Sequence, residues 1–424
     1  MIDDFLPSRP RARKKTGTVQ HHSLPPKPVD NETAVVDKVT SPEHPALLAS
    51  KEDDQPLKSD KSFWEKLRHW RPTKKQLIII IIVAVMILAG GGYGLDKVLS
   101  HDKKVPRTVV TTLKVTPAKK APVVPTTVAS TLTGLPVTPS VNQLPVTAIM
   151  IENSTDARPQ SGLAQAGVVF EAVAEGGITR YMALYQDTSP GYIGPVRSAR
   201  PYFIQWALGF DADYAHVGGS PEAISDIQAW NVKDLDQFYN GSYFQRVTTR
   251  QAPHNVYTSV ASLNTLENTK GYTTSTYTGF TRKTDSPAAT PTAISININP
   301  STSNYAVHYD YNAAANNYSR SVGGEPEMDT DQAGNETQVK PKVVIALVMP
   351  QALEADGLHT TYGTIGSGQA YVFQDGAVTI GSWQKSSNSA QITFSTTSGQ
   401  TLGLNAGQTW ITIVGGSSDI SYKT

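Results

Sequence analysis

An uncharged, mostly apolar segment at residues 77–95, LIIIIIVAVMILAGGGYGL, most restricts how this chain can be arranged. A helix rises about 1.5 Å per residue, so the segment is just long enough to cross the hydrocarbon core of a bilayer. It begins too far from the N-terminus to be a cleaved signal peptide. We therefore expect one transmembrane helix over 77–95. A buried core helix is the alternative that the same composition allows.

Basic residues are more numerous before this segment than after it. Five lie at 66–75 and three at 97–104: Lys66, Arg68, Arg71, Lys74 and Lys75, then Lys97, Lys103 and Lys104. The more basic flank of a membrane helix usually stays in the cytoplasm. This predicts a single-pass protein of the cell membrane with a cytoplasmic N-terminus and extracytoplasmic C-terminal domains.

Composition divides the rest of the chain into segments of different character. The predicted segments are a disordered cytoplasmic tail (1–60), a basic juxtamembrane segment (61–76), a Thr/Pro-rich extracytoplasmic stalk (96–142), a globular domain (143–285) and a smaller, mostly β domain (290–420). The tail shows no apolar period, and the stalk is rich in the residues of extended linkers. The chain thus predicts two folded units outside the membrane.

In the first unit, short apolar runs alternate with helices, which are identified by the residues typical of helix ends. The run at 144–153 predicts a buried strand, and Gly176-Gly177 predicts the turn of a hairpin. Helices are predicted at 201–209, 218–230 and 259–270; the first two have prolines at first-turn positions, and Ser220 caps the second. Strands alternating with helices indicate an α/β (or α+β) domain.

The second unit shows alternating or apolar runs between turn residues, which is typical of β structure. Asp375-Gly376 predicts a hairpin turn, and 323–337 is interpreted as a polar loop. Its aromatic residues Trp383 and Trp410 suit either a sugar-binding platform or the core of a β domain.

Composition excludes several classes of site. The chain has no cysteine, which rules out disulfides, thiolate metal sites and cysteine nucleophiles. The net charge is +1 and only 17% of residues are charged, so we expect no nucleic-acid partner. No HExxH, Walker or GxSxG motif occurs, and we assign no cofactor, no metal and no catalytic residue.

Polar residues gather where the predicted strands end and helices begin. Asn153 ends the first strand and Arg158 follows it, Arg197 and Arg200 precede a helix, and Gly218 to Ser220 join a strand to a helix. In open α/β sheets, ligands bind beyond the carboxyl ends of strands, near helix N-termini. Arginine suits bidentate capture of carboxylate or phosphate. One shared pocket for an anion is therefore expected.

Other roles for these residues remain open. The arginines can pair with internal carboxylates such as Glu152 or Glu175. A hydrolase can use Glu152 with Glu175, or Ser220 with His254, if the side chains lie at the required separations. His216 and His254 with a carboxylate are a further, metal-binding possibility.

The motifs closely resemble a known family. PVTAIMIENSTDARPQSGLAQAGVVFEAVAEGGITRYMALYQ, IGPVRSARPYFIQWA, YAHVGGSPEA and APHNVYTS resemble the YerB-like family of bacterial envelope proteins, which carries domain of unknown function 3048. GSGQAYVFQDGAVTIGSW and LNAGQTWITIV resemble the separate C-terminal domain of that family. The resemblance implies an extracytoplasmic, membrane-tethered protein of a type usually labelled a lipoprotein. It implies no established reaction or ligand, and the lipid-bearing cysteine of that label is missing here.

The signature polar residues of the family carry over position by position. We hypothesise that these thirteen of them form a ligand-binding set: Asn153, Arg158, Gln160, Glu175, Arg180, Arg197, Ser198, Arg200, Gly218, Gly219, Ser220, His254 and Asn255. Pro159, Gly176, Gly177 and Thr179 match the same signature.

Together these observations predict a membrane-anchored, extracytoplasmic protein of the bacterial cell envelope. We expect it to bind an anionic cell-wall component, such as a glycan, a peptide or a teichoic-type polymer, or to bind a wall-synthesis protein. A cell-wall hydrolase that uses carboxylate and histidine residues is the alternative.

Overall fold

A computed structural model describes residues 126–424. These residues belong to one compact unit, residues 117–424. The predicted tail, juxtamembrane segment and transmembrane helix lie outside the described residues, as does the stalk up to residue 125. Within residues 126–424, no helix combines the length and apolar character that crossing a bilayer requires.

The described part contains three α-helices and 25 strands, joined by turns and short 3-10 helices. The helices are α1 (Pro201–Leu208), α2 (Pro221–Ala229) and α3 (Val260–Lys270). The strands are β1 (Val128–Ala129), β2 (Pro136–Val137), β3 (Thr147–Glu152), β4 (Val168–Glu175), β5 (Ile178–Tyr185), β6 (Asp213–His216), β7 (Asp234–Asp236), β8 (Gln245–Arg246), β9 (Val256–Tyr257), β10 (Arg282–Lys283), β11 (Ser295–Ile298), β12 (Val307–Asn312), β13 (Asn317–Val322), β14 (Glu325–Pro326), β15 (Met328–Thr330), β16 (Glu336–Gln338), β17 (Val343–Val348), β18 (Gln351–Leu353), β19 (Thr360–Tyr362), β20 (Gly366–Gln374), β21 (Ala377–Lys385), β22 (Thr393–Thr396), β23 (Leu404–Asn405), β24 (Thr409–Val414) and β25 (Ile420–Lys423). The 3-10 helices are Val141–Gln143, Thr155–Ala157, Leu163–Gln165, Gly241–Tyr243, Ser303–Tyr305 and Ser417–Asp419.

A ten-stranded mixed sheet organises this part of the chain. Its strand order is β22-β21-β20-β17-β24-β4-β5-β3-β6-β7. The predicted segments 143–285 and 290–420 both supply strands to it, and they meet where β4 and β24 pair in parallel, with Val168 opposite Thr409. The described part is thus mostly β, with few helices.

Both faces of this sheet are covered. One face carries a core with Phe203 and Trp206 of α1. The opposite face packs against α3 and a five-stranded sheet ordered β14-β13-β12-β11-β25. The sequence of β3 is apolar on both faces because the strand lies between the two cores. Met150 packs in the first core, and Ile149 and Ile151 pack in the second.

Most of the locally marked elements occur as predicted. β4 and β5 form a hairpin around Gly176 and Gly177, which both have positive φ, and Asp375-Gly376 joins β20 to β21. The Ser220 hydroxyl accepts from the Ala223 N–H at the start of α2, as a capping residue does.

One interpretation of the second segment needs correction, and the structure decides between the two alternatives for its tryptophans. Residues 323–337 are not only a polar loop, because they contain β14, β15 and the first residues of β16. Glu327, in this stretch, is buried and pairs with the buried Arg320. Trp383 and Trp410 are buried in the core and form no exposed aromatic platform.

The carboxylate of Asp213, at the start of β6, is buried without a hydrogen-bond partner among the described residues. Its nearest cation is Lys233 Nζ, at 3.7 Å. Burial, and then the nearby Glu267 carboxylate, raise the pKa of Asp213 to about 8. Burial raises the pKa of Glu267 to about 7, although Thr147 donates to Oε1 of Glu267 at 2.6 Å.

These raised pKa values predict that stability falls as pH rises from about 4 to about 8. Over that range the unfolded chain releases the Asp213 proton while the folded chain keeps it, so the unfolding free energy decreases. Asp213→Asn should reduce this slope to the part that Glu267 contributes, and should raise the unfolding free energy at pH 8 by about 1–3 kcal/mol. Urea unfolding of both proteins at pH 5 and pH 8 measures the effect, and parallel pH profiles would contradict it.

Candidate functional site

Three neighbouring parallel strands deliver polar groups to one edge of the ten-stranded sheet. β3 pairs in parallel with β6, and β6 with β7. Because their carboxyl ends lie side by side, the residues that end or follow them meet there. Beyond this edge lies a cleft of about 390 Å³, here called the arginine cleft, lined by Val196, Arg197, Ser198, Val217, Gly218, Gly219, Phe238, Arg246, Ala252, Pro253 and Val256.

The lining of the arginine cleft carries two guanidinium groups and no carboxylate. Arg246 is exposed and hydrogen-bonds only to neutral amides, donating to Asn255 Oδ1 (3.0 Å) and Gln237 Oε1 (3.3 Å). Arg197 Nε lies 3.3 Å from Glu152 Oε1 but is not aligned to hydrogen-bond with it. Arg197 is thus ion-paired with Glu152 through Nε, while its Nη groups have no hydrogen-bond partner among the described residues. These Nη groups and Arg246 keep hydrogen-bonding capacity for an anion.

A glycine allows an aromatic ring to form one wall of the cleft. Gly218 has a φ of +57°, and a Cβ there would lie 2.6 Å from Cε2 of Phe238. The Gly218 N–H is held by Asp236 Oδ1 at 2.9 Å. The Phe238 ring nevertheless remains 67% exposed. The cleft thus pairs cationic groups with an accessible apolar surface.

Behind Arg197, the carboxylate of Glu152 also binds a histidine. Oε2 of Glu152 lies 2.9 Å from Nδ1 of His254, and Ser154 Oγ donates to Oε1 at 3.0 Å. Ser154 Oγ is 3.4 Å from the same Nδ1. In the described part of the chain, Nε2 of His254 has no hydrogen-bond partner. The pair can orient a histidine, but the serine lies on the wrong nitrogen for a Ser-His-carboxylate relay.

Three residues of the predicted set form a separate, internal ion cluster. Glu175 accepts from Nη2 of Arg180 and from Nη2 of Arg200, the latter at 2.6 Å. The two arginines also donate to the Ser198 and Ala199 carbonyls. Burial acts to raise the pKa of Glu175, but the Arg180 and Arg200 charges outweigh it and hold that pKa below its usual value. Arg180 and Arg200 therefore hold the 198–200 backbone in place.

Asn153, Arg158 and Gln160 form a network at a second cavity. Asn153 Oδ1 accepts from Arg158 Nε (3.0 Å) and Gln160 Nε2 (2.9 Å). Arg158 and Gln160 line this cavity, which measures about 410 Å³, and Asn153 supports them from behind. The structure thus distributes the predicted set over two cavities and the Glu175 cluster.

The remaining candidates hold local structure. Ser220 caps α2, and Asn255 accepts from Arg246. His216 is buried, with Nδ1 at 2.8 Å from the Gly218 carbonyl oxygen and Nε2 at 2.9 Å from Asp234 Oδ1. Both ring nitrogens of His216 therefore already have hydrogen-bond partners within the protein.

A buried charge cluster was not identified from the sequence. Arg320 donates to Glu171 Oε2 at 3.0 Å and to Glu327 Oε2, and all three side chains are buried. The guanidinium lies 4.1 Å from the Trp410 ring centroid. Burial raises the pKa of Glu171, with Arg320 acting against it. The glutamate inside the apolar run VVFEAVAE was the one available signal.

One group among residues 126–424 has metal-ligand geometry: Glu354, Asp356 and His359. It lies in the turn between β18 and β19. Oδ2 of Asp356 lies 2.5 Å from Nδ1 of His359, and Oδ1 accepts hydrogen bonds from the backbone N–H groups of Leu358 and His359. The His359 contact, with those backbone bonds, lowers the pKa of Asp356 to about 2. These hydrogen bonds within the turn explain why the three side chains lie close together.

Comparisons with known proteins agree on one relationship. The family described as "Protein of unknown function (DUF3048) N-terminal domain" matches residues 132–273, and its C-terminal domain matches residues 296–411. YerB of Bacillus subtilis, which is named as a candidate lipoprotein, is 32% identical over 287 residues, covering 67% of this chain and 85% of YerB. The crystal structure of YerB is similar, with a TM-score of 0.63 and 30% identity, over 70% of this chain and 100% of that chain.

Proposed function

The chain belongs to the DUF3048 family, and on that premise we propose that it is a membrane-anchored envelope protein that binds an anionic wall component in the arginine cleft. The name of its relative YerB supports the envelope location, since a lipoprotein is held at a membrane surface. Here the predicted segment 77–95 takes the place of a lipid anchor.

The observation that carries this proposal is the charge of the cleft lining. Arg197 and Arg246 face one hollow whose lining contains no carboxylate. The carboxylates nearby, Glu152 and Asp236, are at most 4% exposed and engaged with protein groups. An incoming carboxylate or phosphate thus meets two guanidinium groups, of which Arg246 has no acidic partner and Arg197 shares its charge with the buried Glu152.

The rest of the lining narrows the ligand class. Valine, alanine, proline and phenylalanine side chains surround the two arginines. A carboxylate or phosphate attached to an apolar or ring-shaped group fits such a lining better than a free inorganic anion does. A wall peptide carboxylate and the phosphate of a teichoic-type polymer both meet this description.

Cosedimentation with purified Gram-positive walls tests the proposal. Residues 117–424 should sediment with the walls, and Arg197→Gln/Arg246→Gln should weaken binding at least about tenfold, because two charge-assisted contacts are lost. Added salt should weaken wild-type binding. Walls stripped of teichoic-type polymer distinguish a phosphate ligand from a peptide carboxylate.

A charge-matched variant serves as the control. Lys340 and Lys423 are exposed and lie outside the cleft, so Lys340→Gln/Lys423→Gln removes the same charge without touching it. Equal binding by the wild type and both double variants would reject the arginine cleft. In that case a wall-synthesis protein would be the better partner to examine.

A wall hydrolase is the second candidate, favoured by the Glu152–His254 pair. This pair resembles a histidine base that is held by a carboxylate. The two-carboxylate version is disfavoured, because the lowered pKa of Glu175 keeps it ionised when a general acid must be protonated. Release of soluble wall fragments that is lost in His254→Ala would support a hydrolase; walls left intact by the wild type would favour binding alone.

A further inference from the structure

The larger cavity, of about 410 Å³, lies where the loop after β3 meets the second half of the chain. We call it the Arg158 cavity, and its lining is Thr155, Arg158, Pro159, Gln160, Asn304, Val322, Gly323, Glu325, Pro326, Glu327, Met328 and Glu336. Its volume is within the roughly 300–1,000 Å³ of small-molecule sites. Unlike the arginine cleft, its lining carries charges of both signs.

The positive charge is Arg158. Its guanidinium donates to Asn153 Oδ1 (3.0 Å) and to the Asn304 carbonyl oxygen (3.0 Å), and it lies over the Tyr305 ring. Among the described residues it pairs with no carboxylate. Its Nη1 has no hydrogen-bond acceptor there and lies 3.4 Å from where a Cβ of Gly323 would be. The neighbours thus hold the guanidinium group in place, while its Nη1 remains free to donate to an anion.

The negative charges are Glu325 and Glu336, which are exposed and form no ion pair within residues 126–424. The third glutamate of the lining, Glu327, is not available to a ligand, because Tyr181 and Arg320 donate to its two oxygens. An ammonium group in the cavity can therefore pair with Glu325 or Glu336.

Gln160 supplies an unused acceptor. The residue is fully buried, and its Nε2 donates to the Glu152 carbonyl oxygen (3.0 Å) and to Asn153 Oδ1 (2.9 Å). These bonds fix the amide orientation and leave Oε1 without a partner. A buried acceptor without a donor costs about 1–3 kcal/mol, which a donor on a ligand can recover.

We propose that the Arg158 cavity binds a short zwitterionic peptide with small apolar side chains. The peptide carboxylate pairs with Arg158, the ammonium group with Glu325 and Glu336, and a peptide N–H with Gln160 Oε1. Val322, Pro326 and Met328 provide the apolar surface for the side chains. This site is independent of the arginine cleft.

Calorimetric titration of the full-length protein in detergent with the dipeptides Ala-Ala and Ala-Leu, in L and D forms, tests the proposal. At least one should bind, and capping its amine by acetylation or its carboxylate as an amide should each weaken binding at least about tenfold. Arg158→Gln and Glu325→Gln/Glu336→Gln should weaken it similarly. Arg197→Gln/Arg246→Gln should bind like the wild type.

The glutamate variant keeps the test decisive if Arg158→Gln does not fold, since both glutamates are exposed. Circular dichroism checks folding of each variant. Three results overturn the proposal: no binding of any dipeptide, equal binding of capped and free dipeptides, or a loss caused by the cleft variant in place of the cavity variants. The last control also separates failure of this site from failure of the proposed function.

Discussion

Replacing Arg320 by methionine should lower the free energy of unfolding by about 3–5 kcal/mol, the largest effect that we expect of a single substitution. The variant leaves Glu171 and Glu327 buried without their cation. It also removes the donor to the Tyr309 hydroxyl and the cation that packs on Trp410. Denaturant unfolding of residues 117–424 measures the change.

A triple variant separates the loss of charge balance from the loss of packing. Glu171→Gln/Arg320→Met/Glu327→Gln removes all three charges, so it should recover a substantial part of the stability that Arg320→Met loses. The exposed Arg246→Met should change stability by less than about 0.5 kcal/mol. A triple variant no more stable than Arg320→Met would show that packing around the guanidinium dominates.

Replacing Glu175 by glutamine should lower the free energy of unfolding by about 2–4 kcal/mol. It leaves Arg180 and Arg200, whose side chains are 2% and 8% exposed, without a counter-charge. The effect should be smaller than that at Arg320, because Glu175 itself is 20% exposed. The exposed Glu222→Gln, at the first turn of α2, is the matched control and should change stability by less than about 1 kcal/mol.

The pH dependence gives this prediction a second readout. Because the folded pKa of Glu175 is below its ordinary value, its contribution is complete above that value and is lost as pH falls through the folded pKa. The wild type should therefore lose stability below about pH 4.5, the ordinary value, and Glu175→Gln should lose less. Identical acid profiles of the two proteins would contradict the assignment.

Local signals in the sequence predicted much of the first segment. Proline at the first turn, a capping serine and paired turn glycines each act within a few residues, and α1, α2 and the β4–β5 hairpin follow them. The pairing of β4 with β24 joins residues more than 200 positions apart, and no local pattern encodes it. The ten-stranded sheet therefore had to be seen in the structure.

The candidate site divides in the same way. Arg197, Ser198, Gly218 and Gly219 were expected to meet beyond the strand ends, and all four line the arginine cleft. The pairing of Arg180 and Arg200 with Glu175 was one of the alternatives that the sequence left open, and it is confirmed. Sequence could not show that Arg246 completes the cleft, because that depends on distances between separate loops. Sequence also could not show that Glu327, between β14 and β15, is buried, since its partner Arg320 comes from β13.

Nuclear magnetic resonance of the arginine side chains tests the central claim most directly. Residues 117–424 carrying ¹⁵N-arginine are titrated with soluble wall fragments, and the Nε–H signals are assigned with single Arg→Lys variants. We predict that the Arg197 and Arg246 signals shift in a saturable way while those of Arg180 and Arg200 stay unchanged. Unmoved Arg197 and Arg246 signals in a sample that binds the fragments would contradict anion recognition in this cleft.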